Sequence, residues 1–175
     1  MVYVPFISDY KAFYIQFATG AAQDLLETYG AIVRVHEYPS SSKVKEPYKN
    51  QWKDEHGDDE YIPSEGLKVE AFTFKTECAM FAEAISDDVA IAELKSRIEA
   101  LKQNLRSGAF KTYDAWTGYG FQNVRLDDFP NVESSNYGRW GQNKMRVFFT
   151  FTLKVNDPVT HMVLSGTNIV NETSV

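Results

Sequence analysis

The segment KMRVFFTFTLKV, residues 144–155, constrains the fold more than any other part of the sequence. Apolar and polar side chains alternate along its whole length, and only Phe148 interrupts the polar set. Successive side chains of a β-strand point to opposite faces, so this alternation predicts a strand with one face in a core and the other open to solvent or to a partner. The residues predicted to face the core are Met145, Val147, Phe149, Phe151, Leu153 and Val155.

Other stretches also have the composition of strands. Residues 66–81 (GLKVEAFTFKTECAMF) alternate in a similar way, and residues 31–39 form a shorter run. Two arms, AFKTYDAW and GFQNVRLDDF, enclose TGYG, which predicts a hairpin in which Gly118 and Gly120 take positive φ. The aromatic share of 14% fits a sheet-rich fold, because aromatic side chains pack well on pleated, half-buried surfaces.

Two segments have helical character. Residues 86–108 carry one apolar stripe at three- and four-residue steps, with Ser86 placed to cap the first amides and Gly108 placed to end the helix. The stripe consists of Ile91, Leu94, Ile98, Leu101 and Leu105. A shorter helix is predicted over residues 20–29, with Gly30 as its stop.

These elements predict the α+β class: a predominantly antiparallel β-sandwich or sheet with one long amphipathic helix packed on it and a short N-terminal helix. A chain of 175 residues suits a single domain, which we assign to residues 1–164. A long loop is expected at residues 39–66, where prolines and serines interrupt the periodicity. The polar residues 165–175 are expected to form a flexible C-terminal tail.

Charge and cysteine content narrow the functional classes. The net charge of −6 argues against a basic nucleic-acid-binding surface supplied by the chain as a whole. Cys78 is the single cysteine, which excludes an internal disulfide and a multi-cysteine zinc site. The first residues lack the features of a signal peptide, and no stretch approaches the roughly 20 apolar residues of a spanning helix. We therefore expect a cytoplasmic protein that does not bind a membrane.

The run WKDEHGDDEYIP, residues 52–63, is the first candidate metal site. Four side chains in and after it have the spacing of calcium-loop ligands: Asp54, His56, Asp58 and Glu65. The turn position of that loop requires glycine, but Asp59 occupies it. A zinc site would need a further ligand, and His36 and His161 are the only other histidines. We expect no metal and no cofactor here, but a solvated or partner-facing loop.

Catalytic motifs are absent from the sequence. It has no GxSxG elbow and no Walker loop. Its pairs of adjacent aspartates are interpreted as residues that complement a helix dipole or lie in loops. We therefore expect a protein that is not an enzyme. The polar face of residues 144–155 carries Lys144, Arg146 and Lys154 beside Phe148. It could touch a phosphate backbone, although a contact between subunits explains it more simply.

The order of elements resembles that of bacteriophage tail proteins, in particular the tail-tube-type domain of distal tail proteins. The resemblance lies in LKVEAFTFKTECAM, a helix, AFKTYDAWTGYGFQNVRLDDF and FTFTLKVNDPVT, within residues 66–160. WKDEHGDDEYIP is also similar to a segment of tail proteins from phages or prophages of Bacteroides-type gut bacteria. The sequence departs from that pattern in two ways: no second, carbohydrate-binding-like domain is recognisable after the Asp-Pro turn, and an N-terminal helical piece and a long loop precede the main strand. These departures leave a tail terminator or a neck protein open.

The resemblance implies a non-enzymatic subunit of a ring, such as a hexamer, that contacts itself and other tail proteins. DNA would pass through its channel without specific binding, and the protein would move from the cytoplasm into the virion tail. We expect the acidic loop of one copy to meet the basic strand of the next. The residues expected at this contact are Asp54, Glu55, Asp58, Asp59, Lys144, Arg146 and Lys154.

A small sugar- or peptide-binding module is the alternative function. Aromatic residues in or near the predicted loops could form a platform for such a ligand. They are Trp116, Tyr119, Tyr137 and Trp140. A metal-dependent hydrolase is a third alternative.

Overall fold

The computed structural model describes residues 10–39, 43–50, 59–61 and 68–174. Its strands are β1 (Phe13–Gln16), β2 (Gln23–Asp24), β3 (Ala31–Glu37), β4 (Tyr48–Asn50), β5 (Asp59–Tyr61), β6 (Phe72–Glu83), β7 (Phe110–Asp114), β8 (Gly120–Asp128), β9 (Tyr137–Gly141), β10 (Lys144–Ser165) and β11 (Asn168–Asn171). Its helices are α1 (Leu25–Tyr29) and α2 (Asp87–Leu105), and 3₁₀ turns occupy Ser134–Asn136 and Glu172–Ser174.

Nine of these strands form one sheet, in the order β2-β1-β7-β8-β10-β6-β3, with β9 and β11 also pairing with β10. All of its pairs are antiparallel. The separate pair β4–β5 is a two-stranded sheet. The predicted α+β class, with an antiparallel sheet, one substantial helix and one short helix, is confirmed.

The large sheet curls until strands from its two ends meet. The rings of Phe13 on β1 and His36 on β3 have centroids 4.5 Å apart, although four strands, β7, β8, β10 and β6, lie between β1 and β3 in the sheet order. Just after β3, the hydroxyl of Tyr38 donates a hydrogen bond to Asp114 at the end of β7. No pairing joins β1 to β3 within the described residues, so the curled sheet has a seam between these strands.

The concave side of the sheet holds the core, and α2 closes it. The six residues predicted to form the apolar face of β10 are all buried, as are Leu94, Ile98, Leu101 and Leu105 of the helix stripe. Ile91 is half-buried against the same core. The rings of Phe129 and Phe151 stack at 5.6 Å within it. The described part of the chain contains no helix that is long and apolar enough to cross a membrane.

The helix ends follow local chemistry. Ser86 caps α2 by accepting the amide of Val89, as predicted. The helix ends at Leu105, before Gly108, because the amide of Ser107 turns back to the carbonyl of Asn104. The N-terminal helix is shorter than predicted and spans only α1, because Gln23–Asp24 pair with β1 and Asp24 is its N-cap. Gly30 ends it with φ +70°, as predicted.

The two glycines of the hairpin act differently. Gly118 has the predicted positive φ, +75°. Gly120 does not have a positive φ, and its role is to allow a close approach of two strands. A β-carbon at Gly120 would lie 2.1 Å from the carbonyl oxygen of Met162 on β10. The predicted positive φ at Gly120 was therefore wrong; glycine is needed there because a side chain would not fit between the strands.

Strand β10 does not end at the Asp-Pro sequence that closes the resemblance. It continues to Ser165, and its register with β8 shifts between Asp157 and His161. The Asp157 carboxylate accepts the amides of Val159 and Thr160 and holds this bulge in place. Partial burial acts to raise the pKa of Asp157, but hydrogen bonds from Gln122, Thr160 and Val159 outweigh burial and lower it.

The structure also differs from two expectations about irregular segments. Within the predicted C-terminal tail, β11 pairs with β10, Ile169 is fully buried and its amide donates to the Gln16 side chain at 2.7 Å. Within the predicted loop 39–66 lie β4 and β5, and Val44 bridges to Val69. Too few apolar residues occupy either segment for periodicity to show these pairings.

Candidate functional site

A cleft of about 460 Å³ opens at the seam between β1 and β3. Its walls come from the start of β1, from β3 and from the turn after β7. The residues that define it are Lys11, Phe13, Arg34, His36, Asp114 and Trp116. We refer to it as the seam cleft.

A β-bulge in β3 determines what this strand presents to the cleft. Val33 pairs with Cys78 and Val35 pairs with Glu77, so one extra residue, Arg34, lies between consecutive positions of β6. A bulge of one residue reverses the alternation that follows it. His36 therefore turns inward and Val35 turns outward, where it is 45% exposed.

His36 is enclosed at the floor of the cleft. Its side chain is 7% exposed and its ring lies among those of Phe13, Tyr38 and Phe74. Nδ1 is 3.0 Å from the hydroxyl of Thr76, whereas Nε2 has no hydrogen-bond partner among the described residues. Burial lowers the pKa of His36 to about 4, although the Asp114 charge acts in the opposite direction, so the ring is neutral at pH 7.

Asp114 is buried beside His36, and its oxygens have several donors. Oδ1 accepts the amide of Trp116 at 2.8 Å, and Oδ2 accepts the hydroxyls of Thr117 at 2.7 Å and Tyr38 at 3.3 Å. Burial and the Asp114 charge raise the pKa of Tyr38, which keeps it a hydrogen-bond donor. Nε2 of His36 is 3.9 Å from Oδ2, which is beyond hydrogen-bonding distance. This carboxylate stabilises the β7–β8 turn, and the arrangement is not that of a catalytic base with an activated nucleophile.

The four aromatic residues of the predicted ligand platform lie in two places. Trp116 and Tyr119 are in the β7–β8 turn and are 68% and 50% exposed. Trp116 lines the seam cleft, and the ring of Tyr119 contacts that of Tyr38. Tyr137 and Trp140 lie on β9, which pairs with the first residues of β10, toward the opposite end of that strand from the β7–β8 turn. Tyr137 contacts Lys95 of α2, and Trp140 contacts Phe81.

The predicted basic contact residues lie on the convex face of the sheet. The guanidinium groups of Arg34 and Arg146 lie 5.0 Å and 5.3 Å from the ring centroid of Phe148. Neither arginine has an ion pair within the described residues. Lys144 instead contacts Glu83 at 3.2 Å, and Lys154 lies farther along β10. We call Arg34, Arg146, Phe148 and Lys154 the basic face.

Most of the predicted acidic contact residues lie outside the residues that the structure describes. Asp54, Glu55 and Asp58 lie outside the described residues, and only the backbone of Asp59, at the start of β5, is described. His56 and Glu65 of the candidate metal site also lie outside them.

The described part of the chain contains no cluster of three or more His, Cys, Asp or Glu side chains that could hold a metal ion. Cys78 is buried on β6, and burial raises the pKa of its thiol, so the reactive thiolate is disfavoured. The described residues therefore contain neither a metal-binding cluster nor a reactive thiol.

Sequence reasoning missed Lys11, Arg34, His36 and Asp114 as neighbours. The role of Asp114 could have been recognised from the sequence, because Asp followed by Ala-Trp-Thr-Gly is typical of a side chain that accepts amides within its own turn. The other three come together only through the curl of the sheet and the bulge.

Comparisons with known proteins relate this chain by structure and not by sequence. No protein-family model matches the sequence, and no curated protein matches it. A solved structure of the SPP1 Dit protein (gp 19.1), described as a paradigm of the hub adsorption apparatus in phages that infect Gram-positive bacteria, superposes with a TM-score of 0.52 and 16% identity. The match covers 87% of this chain and 52% of that chain, so this protein spans about half its length. At this identity the likeness shows the fold, which is similar to that of a phage distal tail hub protein.

Proposed function

We propose that this chain is a non-enzymatic structural subunit of a phage or phage-like tail. The observation that carries the proposal is the likeness in fold to a phage hub protein over 87% of the chain. The seam cleft supports it, because Asp114 holds a turn and His36 is buried and neutral. Neither group is placed as an acid, base or nucleophile.

The finer part of the proposal concerns assembly. The subunit forms a closed ring, such as a hexamer, and contacts other tail proteins as a distal tail, tube, terminator or neck component. DNA passes through the ring without specific binding, and the virion belongs to a phage of Bacteroides-type bacteria. Head-to-tail contacts that close by rotation use two different surfaces of each copy.

The basic face is the first of these surfaces. Arg34 and Arg146 present guanidinium groups that are preorganised on Phe148 and have no ion-pair partner within the described residues. A planar guanidinium binds a carboxylate through two parallel hydrogen bonds. The acidic run of the neighbouring copy, with Asp54, Glu55, Asp58 and Asp59, supplies the carboxylates. Lys144 and Lys154 extend the positive surface along β10.

Ring formation is tested by light scattering after size exclusion and by electron microscopy of negatively stained particles. The wild-type protein should form closed rings, and Arg146→Glu should dissociate them because it opposes the acidic run. Adding Asp58→Arg to Arg146→Glu should restore assembly. Arg106→Glu, an equal charge change on an exposed residue at the end of α2, is the control. A wild-type protein that stays monomeric at high concentration contradicts the ring.

A sugar- or peptide-binding module is the second candidate function. It is favoured by the exposure of Trp116 at the seam cleft and of Tyr119 in the same turn. Aromatic rings with one free face stack on apolar ligand surfaces, and pockets of this volume are typical of small-ligand sites. Titration with a glycan panel should quench the fluorescence of Trp116, and Trp116→Phe should abolish the change. A flat response to the panel removes the sugar ligand.

A further inference from the structure

We infer that the seam cleft binds an extended, acidic segment of a partner protein as an added β-strand. The cleft is that of the second candidate function, so the inference rests on that candidate. Of its two rim cations, Arg34 also belongs to the basic face, whereas Lys11 does not. It follows from three features of the described residues: two strand edges that are not fully paired, a buried nitrogen without a hydrogen-bond partner, and the charge of the rim.

Within the part of the chain that the structure describes, the two strand edges that border the cleft are not fully paired. Strand β3 pairs with β6 on one side, and no described residue pairs with its other edge. On β1, β2 covers the corresponding edge only at Tyr14 and Ile15. Tyr10, Lys11 and Phe13 therefore have no strand partner on this edge among the described residues, and they line the cleft together with residues 32–36. Unpaired amides and carbonyls in such an edge are a template for an incoming strand.

A buried nitrogen at the cleft floor points to a ligand that accepts a hydrogen bond. Nε2 of His36 is buried without a hydrogen-bond partner in the described part of the chain, which is an uncommon state for a buried polar atom. When Nδ1 accepts the hydroxyl proton of Thr76, Nε2 carries the ring proton. A main-chain carbonyl of an added strand is an acceptor of the required kind. The Asp114 carboxylate, with Oδ2 3.9 Å away, is too distant to serve.

The rim of the cleft determines the charge of the partner. Lys11 and Arg34 are both exposed at the rim, and neither has an ion pair with a described carboxylate. The single carboxylate among the described lining residues, Asp114, is buried and hydrogen-bonded. In a chain of net charge −6, this local excess of positive charge favours a strand with acidic side chains. The exposed ring of Trp116 offers an apolar wall for alternate side chains.

Five residues of β3, from Ile32 to His36, line the cleft, which corresponds to about 16 Å of extended chain. The probe is therefore a capped pentapeptide of alternating valine and glutamate, Ac-VEVEV-NH2. Its binding is measured by titration calorimetry and by shifts of the backbone amide signals of β3 in ¹⁵N-labelled protein. We expect saturable binding with shifts concentrated in residues 32–36 and 10–13.

Three matched comparisons test the mode of binding. The same peptide with alternate N-methylated amides should bind at least about tenfold more weakly, because it cannot complete a strand ladder. The lysine analogue Ac-VKVKV-NH2 should show a similar loss, as should the variant Lys11→Glu/Arg34→Glu with the acidic peptide. Lys68→Glu/Arg106→Glu, an equal charge change at two exposed residues that do not line the cleft, should bind as the wild type does. Melting followed by circular dichroism verifies that each variant is folded.

Several outcomes overturn the inference. Equal binding of the N-methylated peptide excludes strand addition, and equal binding of the lysine peptide excludes the acidic specificity. No binding of the probe at millimolar concentration also rejects it. If glycans still quench Trp116, the second candidate function survives this failure. Self-association that Lys11→Glu alone abolishes would assign the cleft to a second copy of the chain instead of a partner protein, because Lys11 lines the cleft and is not part of the basic face.

Discussion

Replacing Gly120 by alanine should destabilise the fold far more than the loss of one hydrogen atom suggests. The new β-carbon would lie 2.1 Å from the carbonyl oxygen and 2.7 Å from the carbonyl carbon of Met162. Both atoms belong to the backbone, so no side-chain rotation relieves the clash. Met162 is itself buried and paired with Asn171 of β11. Strands β8 and β10 must therefore move apart.

The loss of stability in Gly120→Ala depends on how far the backbone of the two strands must shift. Inserting a methyl group into a well-packed region typically costs about 1–3 kcal/mol, and more when the backbone has to shift. We expect the upper end, about 3 kcal/mol, for Gly120→Ala. For a domain of this size, that corresponds to a decrease in Tm of roughly 6–12 °C. With a urea m-value of about 2 kcal/mol per M, the unfolding midpoint should fall by about 1.5 M.

Gly138→Ala is the matched control on β9. Its β-carbon would meet only the flexible side chain of Arg146, at 3.4 Å, and its φ is not in the left-handed region. We expect a change within about 0.5 kcal/mol, or a small gain because alanine restricts the unfolded chain. Urea unfolding is followed by tryptophan fluorescence and by circular dichroism. A Gly120→Ala midpoint equal to that of the wild type would refute the close approach of β8 and β10.

Three further predictions concern the core and the seam. Asp114→Ala should lower the free energy of unfolding by about 3–5 kcal/mol, because three donors lose a buried acceptor; Asp114→Asn should cost less in the same urea experiment. His36 has a folded pKa of about 4 against 6.5, so stability is lost as pH falls from 6.5 towards 4. The wild type should lose about 2 kcal/mol between pH 7 and pH 5 through this group, and a smaller pH dependence of His36→Gln would verify it. Leu94→Ala should cost about 2–5 kcal/mol in thermal unfolding, whereas Ser96→Ala on the exposed face of α2 should stay within about 0.5 kcal/mol.

The elements with strong periodicity could be predicted from sequence because one face of each is buried. In β10 the alternation over residues 144–155 gave the correct core face, and in α2 the leucine and isoleucine stripe did the same. Elements held by few apolar residues were missed. β11 depends on the burial of Ile169 and on its hydrogen bond to Gln16, which is distant in sequence.

The sequence alone determined the α+β class, the order of the main elements and the predominance of sheet, since these follow from local side-chain periodicity and from capping. The tertiary structure decided the seam cleft. The curl of the sheet brings β1 to β3, and the bulge at Arg34 turns His36 inward and leaves Arg34 beside Phe148. Neither is encoded in local periodicity, because a bulge reverses the alternation on which such a prediction depends and sheet curvature arises from contacts between distant strands. The proposed sites therefore lie where strand pairing, and not local pattern, brings the residues together.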